Sequence, residues 1–136
     1  NGELWPAEPD SSGYVTIKRV WQRGDIIAYK IEMAPRIVLG DHDNAGKMAV
    51  MYGPLVLTAD LSLNPKGATI ADIGPAVADP AKFKLRRVGK SDAALFETDG
   101  LMLVNGKPSP FKLVLTPYYA AGADGSEFVI WMKRIP

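Results

Sequence analysis

The polar cluster Asp41-His42-Asp43-Asn44 holds the single histidine of the chain. Two carboxylates and an imidazole within four residues are groups that can ligate a metal ion. A calcium loop needs further oxygen ligands at a defined spacing, which does not occur around this cluster. A polar loop between strands accounts for the same residues, and we predict no metal site here.

Other catalytic arrangements find little support in the residue types. The chain has no cysteine, which excludes a thiolate nucleophile, a disulfide framework and a cysteine-ligated metal. No Gly-x-Ser-x-Gly elbow accompanies His42, and no glycine pattern matches a nucleotide-binding loop. The 15 acidic residues offer many carboxylate pairs for glycoside hydrolysis, but nothing sets one pair apart. We therefore assign no catalytic residue, metal or cofactor, and a small hydrolase using acids and His42 remains an alternative.

Exposed aromatic rings can bind sugars, because apolar C–H patches of the sugar stack on the ring face. Trp21 and Trp131 lie in apolar rows, which favours burial in the core. Trp5 lies near the amino terminus, and Tyr118-Tyr119 precede a flexible small-residue stretch at a junction between strand and loop. Trp5, Tyr118 and Tyr119 are therefore the candidate carbohydrate-binding residues.

The elements that would position these residues are short strands. Residues 13–33 alternate apolar and polar side chains on both sides of Arg23-Gly24-Asp25, which predicts a β-hairpin ended by Pro35. Turn chemistry explains this Arg-Gly-Asp tripeptide better than an adhesion motif. Residues 47–59 predict a strand pair or one strand bent at Gly53-Pro54, and we favour the bent strand.

Further strands are predicted over residues 82–88, 111–116 and 127–133, and a hairpin turn at Asp99-Gly100. About eight strands, with no room for crossover helices, indicate an all-β antiparallel fold, a two-sheet β-sandwich. We expect a single domain over residues 1–136, with an extended tail over residues 1–12 and an irregular excursion over residues 61–81.

Charge and hydropathy exclude several classes of partner. Sixteen basic residues against 15 acidic ones leave a net charge of +1, which argues against nucleic acid and a polybasic membrane surface. No apolar run is long enough to span a membrane, and no uncleaved signal peptide is evident. The chain begins with Asn1 rather than methionine, and we expect a processed chain or an excised fragment.

Three stretches of the sequence stand out together: residues 13–21 (GYVTIKRVW) with Gly24-Asp25, residues 46–56 (GKMAVMYGPLV), and residues 115–119 (LTPYY) with Val129-Ile130-Trp131. They resemble the carboxy-terminal region of glycoside hydrolase family 127 proteins, which include β-L-arabinofuranosidases. Their order and spacing match from about Gly13 to Trp131. The second stretch is the most specific.

This resemblance implies a β-sandwich region that follows an (α/α)-barrel catalytic domain. In the family the chemistry belongs to the barrel, with a cysteine thiolate as nucleophile and a zinc held by cysteines and a glutamate. None of these positions matches this chain. After the paired tyrosines the family usually continues with a Trp-containing loop, whereas Ala120-Ala121-Gly122 stands here. A contact made by that tryptophan would be absent.

The sequence therefore predicts a non-catalytic accessory domain whose partner is the catalytic barrel of a parent chain. The alternative is a free-standing carbohydrate-binding module that binds oligosaccharide through its aromatic rings. A domain excised from a larger protein should also expose an apolar face of roughly several hundred square ångströms. The resemblance implies bacterial polysaccharide degradation, with a periplasmic or a secreted location both open. The sequence does not determine the oligomeric state or the sugar specificity.

Overall fold

The computed structural model describes residues 2–5, 8–31, 33–77, 79–89 and 94–136. Residues 1–31 form one compact unit and residues 32–136 form a second. Residues 1, 6 and 7 of the predicted tail, residue 32 of the predicted hairpin and residue 78 of the predicted excursion lie outside the described residues. The single domain over residues 1–136 stays a prediction.

The first unit has no helix or strand in its described part, so the predicted hairpin is wrong. Its central turn is nevertheless present, because Asp25 N–H donates to Gln22 O (3.1 Å) and Gln22 N–H donates to the Asp25 carboxylate (2.9 Å). Gly24 takes the positive φ (95°) that this turn uses. A two-stranded ribbon is at best marginally stable alone, so a local turn does not by itself create a ladder. The prediction that Trp21 is buried is also wrong, since its side chain is half-exposed.

The second unit is built of nine strands in its described part: β1 (Pro35–Leu39), β2 (Lys47–Tyr52), β3 (Leu55–Asp60), β4 (Ile73–Pro75), β5 (Arg86–Val88), β6 (Leu95–Val104), β7 (Lys107–Pro117), β8 (Phe128–Val129) and β9 (Met132–Lys133). Single 3-10 turns lie at His42–Asn44, Leu61–Leu63, Pro80–Lys82 and Tyr118–Ala120. No described helix is long and apolar enough to cross a lipid bilayer.

The strands form one curled sheet in which every pairing is antiparallel. The main path runs β1-β2-β3-β7-β6-β4, while β5 pairs with β6, β8 with β3 and β9 with β2. The longest strand, β7, pairs with β6 over most of its length and with β3 at its end. The all-β antiparallel class is confirmed, and the division into two sheets stays a prediction.

The core lies where the central strands and the short carboxy-terminal strands converge. Its fully buried or nearly buried members come from β2, β3, β4, β6, β7 and β9: Val50, Leu57, Ala59, Ile73, Phe96, Leu113, Leu115 and Met132. In β7 the alternation is direct, because Leu113 and Leu115 are buried while Lys112 is exposed. The period-two pattern of residues 111–116 thus predicts the burial of Leu113 and Leu115 correctly, whereas Thr116, expected on the opposite face, is also buried.

The Gly53-Pro54 pair is a turn between two strands and not a bend within one. Tyr52 pairs with Leu55 directly across it, so β2 and β3 form a hairpin. Gly53 has a positive φ of 55°, and its N–H donates to Ala34 O (3.0 Å). The bent strand is therefore wrong, and the strand-pair alternative for residues 47–59 is confirmed.

The predicted turn at Asp99-Gly100 is also wrong, because β6 continues through both residues. The hairpin turns at Asn105-Gly106 instead, where both residues have positive φ (52° and 76°), as a type I′ turn requires. Gly100 has a different role. A Cβ there would lie 2.6 Å from Leu113 Cβ and 2.9 Å from the Phe111 ring, so only glycine lets β6 and β7 approach this closely.

Other boundaries differ from the sequence predictions in length. The strand expected over residues 82–88 is limited to β5, and that expected over residues 127–133 divides into β8 and β9. Pro35, expected to end a strand, begins β1. Residues 61–81 contain the 3-10 turn at Leu61–Leu63 and the buried strand β4, which pairs with β6.

Candidate functional site

Tyr118 and Tyr119 lie on the 3-10 turn that directly follows β7, which places both rings at one end of the sheet. Their side chains are 55% and 70% exposed. The Tyr118 ring packs edge-to-face on Phe128, with 5.8 Å between the ring centroids and 66° between the ring planes. Tyr118 is thus supported from one side by β8, while Tyr119 is the freer surface for a ligand.

The loop that follows these tyrosines is anchored by Asp60, a buried carboxylate at the end of β3. Asp60 Oδ2 accepts a hydrogen bond from Gly122 N–H (2.8 Å), and Oδ1 accepts one from Ser126 Oγ (2.5 Å). Ser62 donates to Oδ1 through its N–H (2.9 Å) and its hydroxyl (2.8 Å). One side chain therefore fixes both ends of the loop after the tyrosines.

The hydrogen bonds also set the charge of Asp60. Burial would raise the pKa of this carboxyl, but the donors from Gly122, Ser126 and Ser62 together outweigh burial and lower the pKa from 3.8 to about 2. Asp60 is therefore ionised at any physiological pH. Such a low pKa suits an anchor and excludes a general acid at neutral pH.

Asn64 extends this anchorage to β7. Its side-chain amide donates to Asp60 O (2.7 Å) and Val114 O (2.9 Å), and its carbonyl accepts from Val114 N–H (3.0 Å). Sequence analysis missed both Asp60 and Asn64. The available signal was the Asp60-x-Ser62 spacing, which is typical of a side chain capping a short turn.

Trp5, the third candidate, belongs to the first unit, and its side chain is 53% exposed. The structure brings Tyr118 and Tyr119 together on one turn, whereas Trp5 is described only within its own unit. A carbohydrate platform made of all three residues stays a prediction.

The second unit also has an open groove of about 520 Å³ over β5, β6 and β7. Phe83 and Leu85 supply apolar lining, and two cross-strand ion pairs supply the polar lining. Arg86 binds Glu97 at 2.8 Å and Lys112 binds Asp99 at 2.5 Å. The hydrogen bond from Lys112 to Asp99 raises the pKa of the Lys112 ammonium.

The two carboxylates of the groove, Glu97 and Asp99, lie two residues apart on β6. Each is paired with the residue opposite it on the neighbouring strand. Cross-strand pairs of this kind are ordinary sheet stabilisers. Each acid is held by its own cation, which suits a structural ion pair. The groove offers a binding surface but no acid–base pair.

His42 is almost fully exposed on its 3-10 turn, and its Nδ1 lies 3.4 Å from the Asp41 carboxylate. Within the part of the chain that the structure describes, no three His, Cys, Asp or Glu side chains are grouped as metal ligands would be. The cluster therefore has the geometry of a polar surface loop.

Comparison with solved structures gives the strongest relationship of the chain to known proteins. A glycoside hydrolase family 127 β-arabinofuranosidase superposes with a TM-score of 0.79 and 25% identity, over 99% of this chain and 22% of that one. A family 127 β-L-arabinofuranosidase from Geobacillus stearothermophilus T6 superposes with a TM-score of 0.62 and 23% identity, over 91% of this chain and 22% of that one. The chain fits a segment of a family 127 glycoside hydrolase.

The resemblance predicted from the three sequence stretches is thereby confirmed. No protein-family model and no curated protein sequence matches the chain. The chain spans only 22% of each family 127 enzyme that it matches, so most of each enzyme lies outside the matched segment. In this chain Ala120, Ala121 and Gly122 occupy the loop after the tyrosines, and Gly122 there donates to Asp60.

Proposed function

We propose that this chain is a non-catalytic accessory domain of a family 127 glycoside hydrolase, and that it supports a catalytic barrel in the same parent polypeptide. The observation that carries the proposal is the pair of coverages: 99% of this chain matches only 22% of a β-arabinofuranosidase. A segment of that size leaves ample length for a separate catalytic domain.

The chemistry of the described residues supports the same role. Glycoside hydrolysis uses a carboxylic acid and a second carboxylate across a cleft, and the acid needs a raised pKa. The most buried described carboxyl, Asp60, has its pKa lowered to about 2 by its hydrogen-bond donors. Glu97 and Asp99 are both held in ion pairs. These groups stabilise a sheet and do not form an acid–base pair.

The architecture also suits a supporting domain. A hydrogen-bonded sheet with a core of fully buried side chains is stiff, and a stiff body can hold a neighbouring domain in place. The support we propose is mechanical, since the domain would stabilise the barrel by burying apolar surface against it.

A free-standing carbohydrate-binding module is the alternative function, with Trp5, Tyr118 and Tyr119 as its binding residues. In both neighbours the region that superposes on this chain is a segment of an enzyme, which favours the accessory domain. Within the proposed function, oligosaccharide contact at Tyr119 would be a secondary property of the domain.

Two assays on the 136-residue chain test the proposal. We expect no release of p-nitrophenol from p-nitrophenyl β-L-arabinofuranoside above background, because the chain lacks the catalytic barrel. We also expect no shift of tryptophan fluorescence on titration with arabino-oligosaccharides to millimolar concentration. Turnover above background would contradict the accessory role, and a saturable shift abolished by Tyr119→Ala would favour the binding module.

A further inference from the structure

The first unit exposes an unusual number of large apolar side chains. We define residues 14–31 as the apolar arm. Its large apolar side chains that are between 42% and 86% exposed include Val15, Val20, Trp21, Ile27, Tyr29 and Ile31. Single exposed apolar residues are normal on a protein surface, but a dense series is typical of an interaction site.

Several apolar residues of the second unit are buried, whereas those of the arm are exposed. Met48, Ala49 and Val50 of β2 are buried, as are Leu57 and Ala59 of β3. The apolar arm has a similar content of apolar residues but no core of its own.

The local shape of the arm is nevertheless defined. The Gln22–Asp25 turn is closed by backbone and side-chain hydrogen bonds, and Arg19 binds the Asp25 carboxylate at 3.2 Å. The Arg19 guanidinium also lies 5.1 Å from the centroid of the Trp21 ring. The arm therefore has a defined turn, and many of its large apolar side chains are exposed.

The comparisons indicate what covers the arm. The family 127 match extends over 99% of this chain, so it includes the arm, and it leaves more than three quarters of that enzyme outside the matched segment. We propose that the apolar arm docks on the remaining part of the parent polypeptide. This inference rests on the proposed function and adds to it the surface that makes the contact.

The charge of the arm argues against a second copy of the chain as the occupant. Four cations lie in it, Lys18, Arg19, Arg23 and Lys30, against the single acid Asp25. Two arms face to face would bring these cations together, whereas an apolar surface rimmed by carboxylates complements them. The partner face that we propose is therefore apolar and rimmed by carboxylates.

Hydrogen exchange of the arm amides, followed by mass spectrometry, tests the docking. In the isolated 136-residue chain we expect the amides of residues 14–31 outside the hydrogen-bonded Gln22–Asp25 turn to exchange at nearly the rate of unstructured peptide. In the full parent polypeptide, at the same pH and temperature, we expect their exchange to be at least tenfold slower. Equal rates in the two proteins would overturn the proposal.

A pair of variants makes the test specific. Ile27→Asp places a charge in the arm, and Val104→Asp places one on a half-exposed residue beside the β6–β7 turn. We expect both variants to leave the thermal midpoint of the isolated chain nearly unchanged, and only Ile27→Asp to remove the arm protection in the parent. Equal loss of protection in both variants would overturn the assignment.

Two further outcomes are distinguishable. A concentration-dependent dimer of the isolated chain that Ile27→Asp abolishes, seen by sedimentation velocity, would assign the arm to a second copy and overturn the proposal. Protection of the arm in a parent whose catalytic domain is equally stable without these 136 residues would uphold the docking and overturn only the supporting function.

Discussion

Asp60 links the end of β3 to the loop that follows Tyr118 and Tyr119. Its carboxylate collects donors from Gly122, Ser126 and Ser62, residues far apart in sequence, so this one side chain orders a whole end of the sheet. Because these donors stabilise the ionised form of Asp60, their contribution to the free energy of unfolding depends on pH.

Replacing Asp60 with Asn should lower the free energy of unfolding at pH 7 by about 2 kcal/mol, because an amide cannot accept all of these hydrogen bonds. The pKa of Asp60 is about 2 in the folded chain against an ordinary value of 3.8. Its contribution is therefore complete above about pH 4 and is lost as the pH falls through about 2. Urea unfolding between pH 7 and pH 2 should show the wild-type and variant curves converging at the acid end.

The exposed carboxylate Asp43 provides the control for this series. Asp43→Asn should change the free energy of unfolding by less than about 0.5 kcal/mol at every pH. A constant difference between Asp60→Asn and wild type down to pH 2 would contradict the account of the charge.

Replacing Tyr118 should lower the free energy of unfolding more than replacing Tyr119. Tyr118→Ala removes the edge-to-face contact with Phe128 and should cost about 1 kcal/mol, whereas Tyr119→Ala should cost less than about 0.5 kcal/mol. Urea unfolding of the isolated chain measures both values. Equal costs would show that Tyr119 has a packing role that its exposure does not indicate.

At the scale of elements, the sequence predicts strands well where side chains alternate and have a sheet to join. Residues 111–116 and 47–59 became β7 and the β2–β3 pair. The alternation over residues 13–33 gave no ladder, because a strand also needs a partner and local pattern does not contain one. At Asp99-Gly100 the glycine serves the close packing of β6 on β7, and Asn105-Gly106 makes the turn. A local turn signal cannot distinguish these two uses of glycine.

The candidate site was predictable to a similar extent. The position of Tyr118 and Tyr119 at the junction after a strand could be read from Pro117 and the small residues that follow. Their anchorage could not, because Asp60 is 62 residues from Gly122 and 66 from Ser126, and only the fold brings them together.

Gly74 in β4 offers a test of the packing between β4 and β9. A Cβ on Gly74 would run into the carbonyl oxygen of Lys133, a backbone atom that cannot rotate away. Gly74→Ala should therefore lower the free energy of unfolding by about 3 kcal/mol. The comparison is Gly106→Ala, where the added Cβ meets open space but φ is positive (76°), for which we expect a cost of about 1 kcal/mol. Thermal unfolding that ranks the two variants in the opposite order would contradict the predicted contact.

At the scale of the whole molecule, the second unit is a well-packed sheet, and the apolar arm of the first unit has many exposed large apolar side chains. The absence of cysteine excludes a thiolate nucleophile within these 136 residues, and the net charge of +1 argues against a large basic surface. The family 127 superposition adds that the chain fits a segment of a much longer enzyme. In the supporting role proposed above, the chemistry of the parent would belong to the rest of that polypeptide.

The most direct test of this supporting role is the thermal stability and activity of the parent polypeptide with and without these 136 residues. If the proposed function holds, deletion lowers the unfolding midpoint of the catalytic domain and shortens the half-life of its activity on p-nitrophenyl β-L-arabinofuranoside. A catalytic domain that keeps both its midpoint and its activity half-life after the deletion would contradict the account.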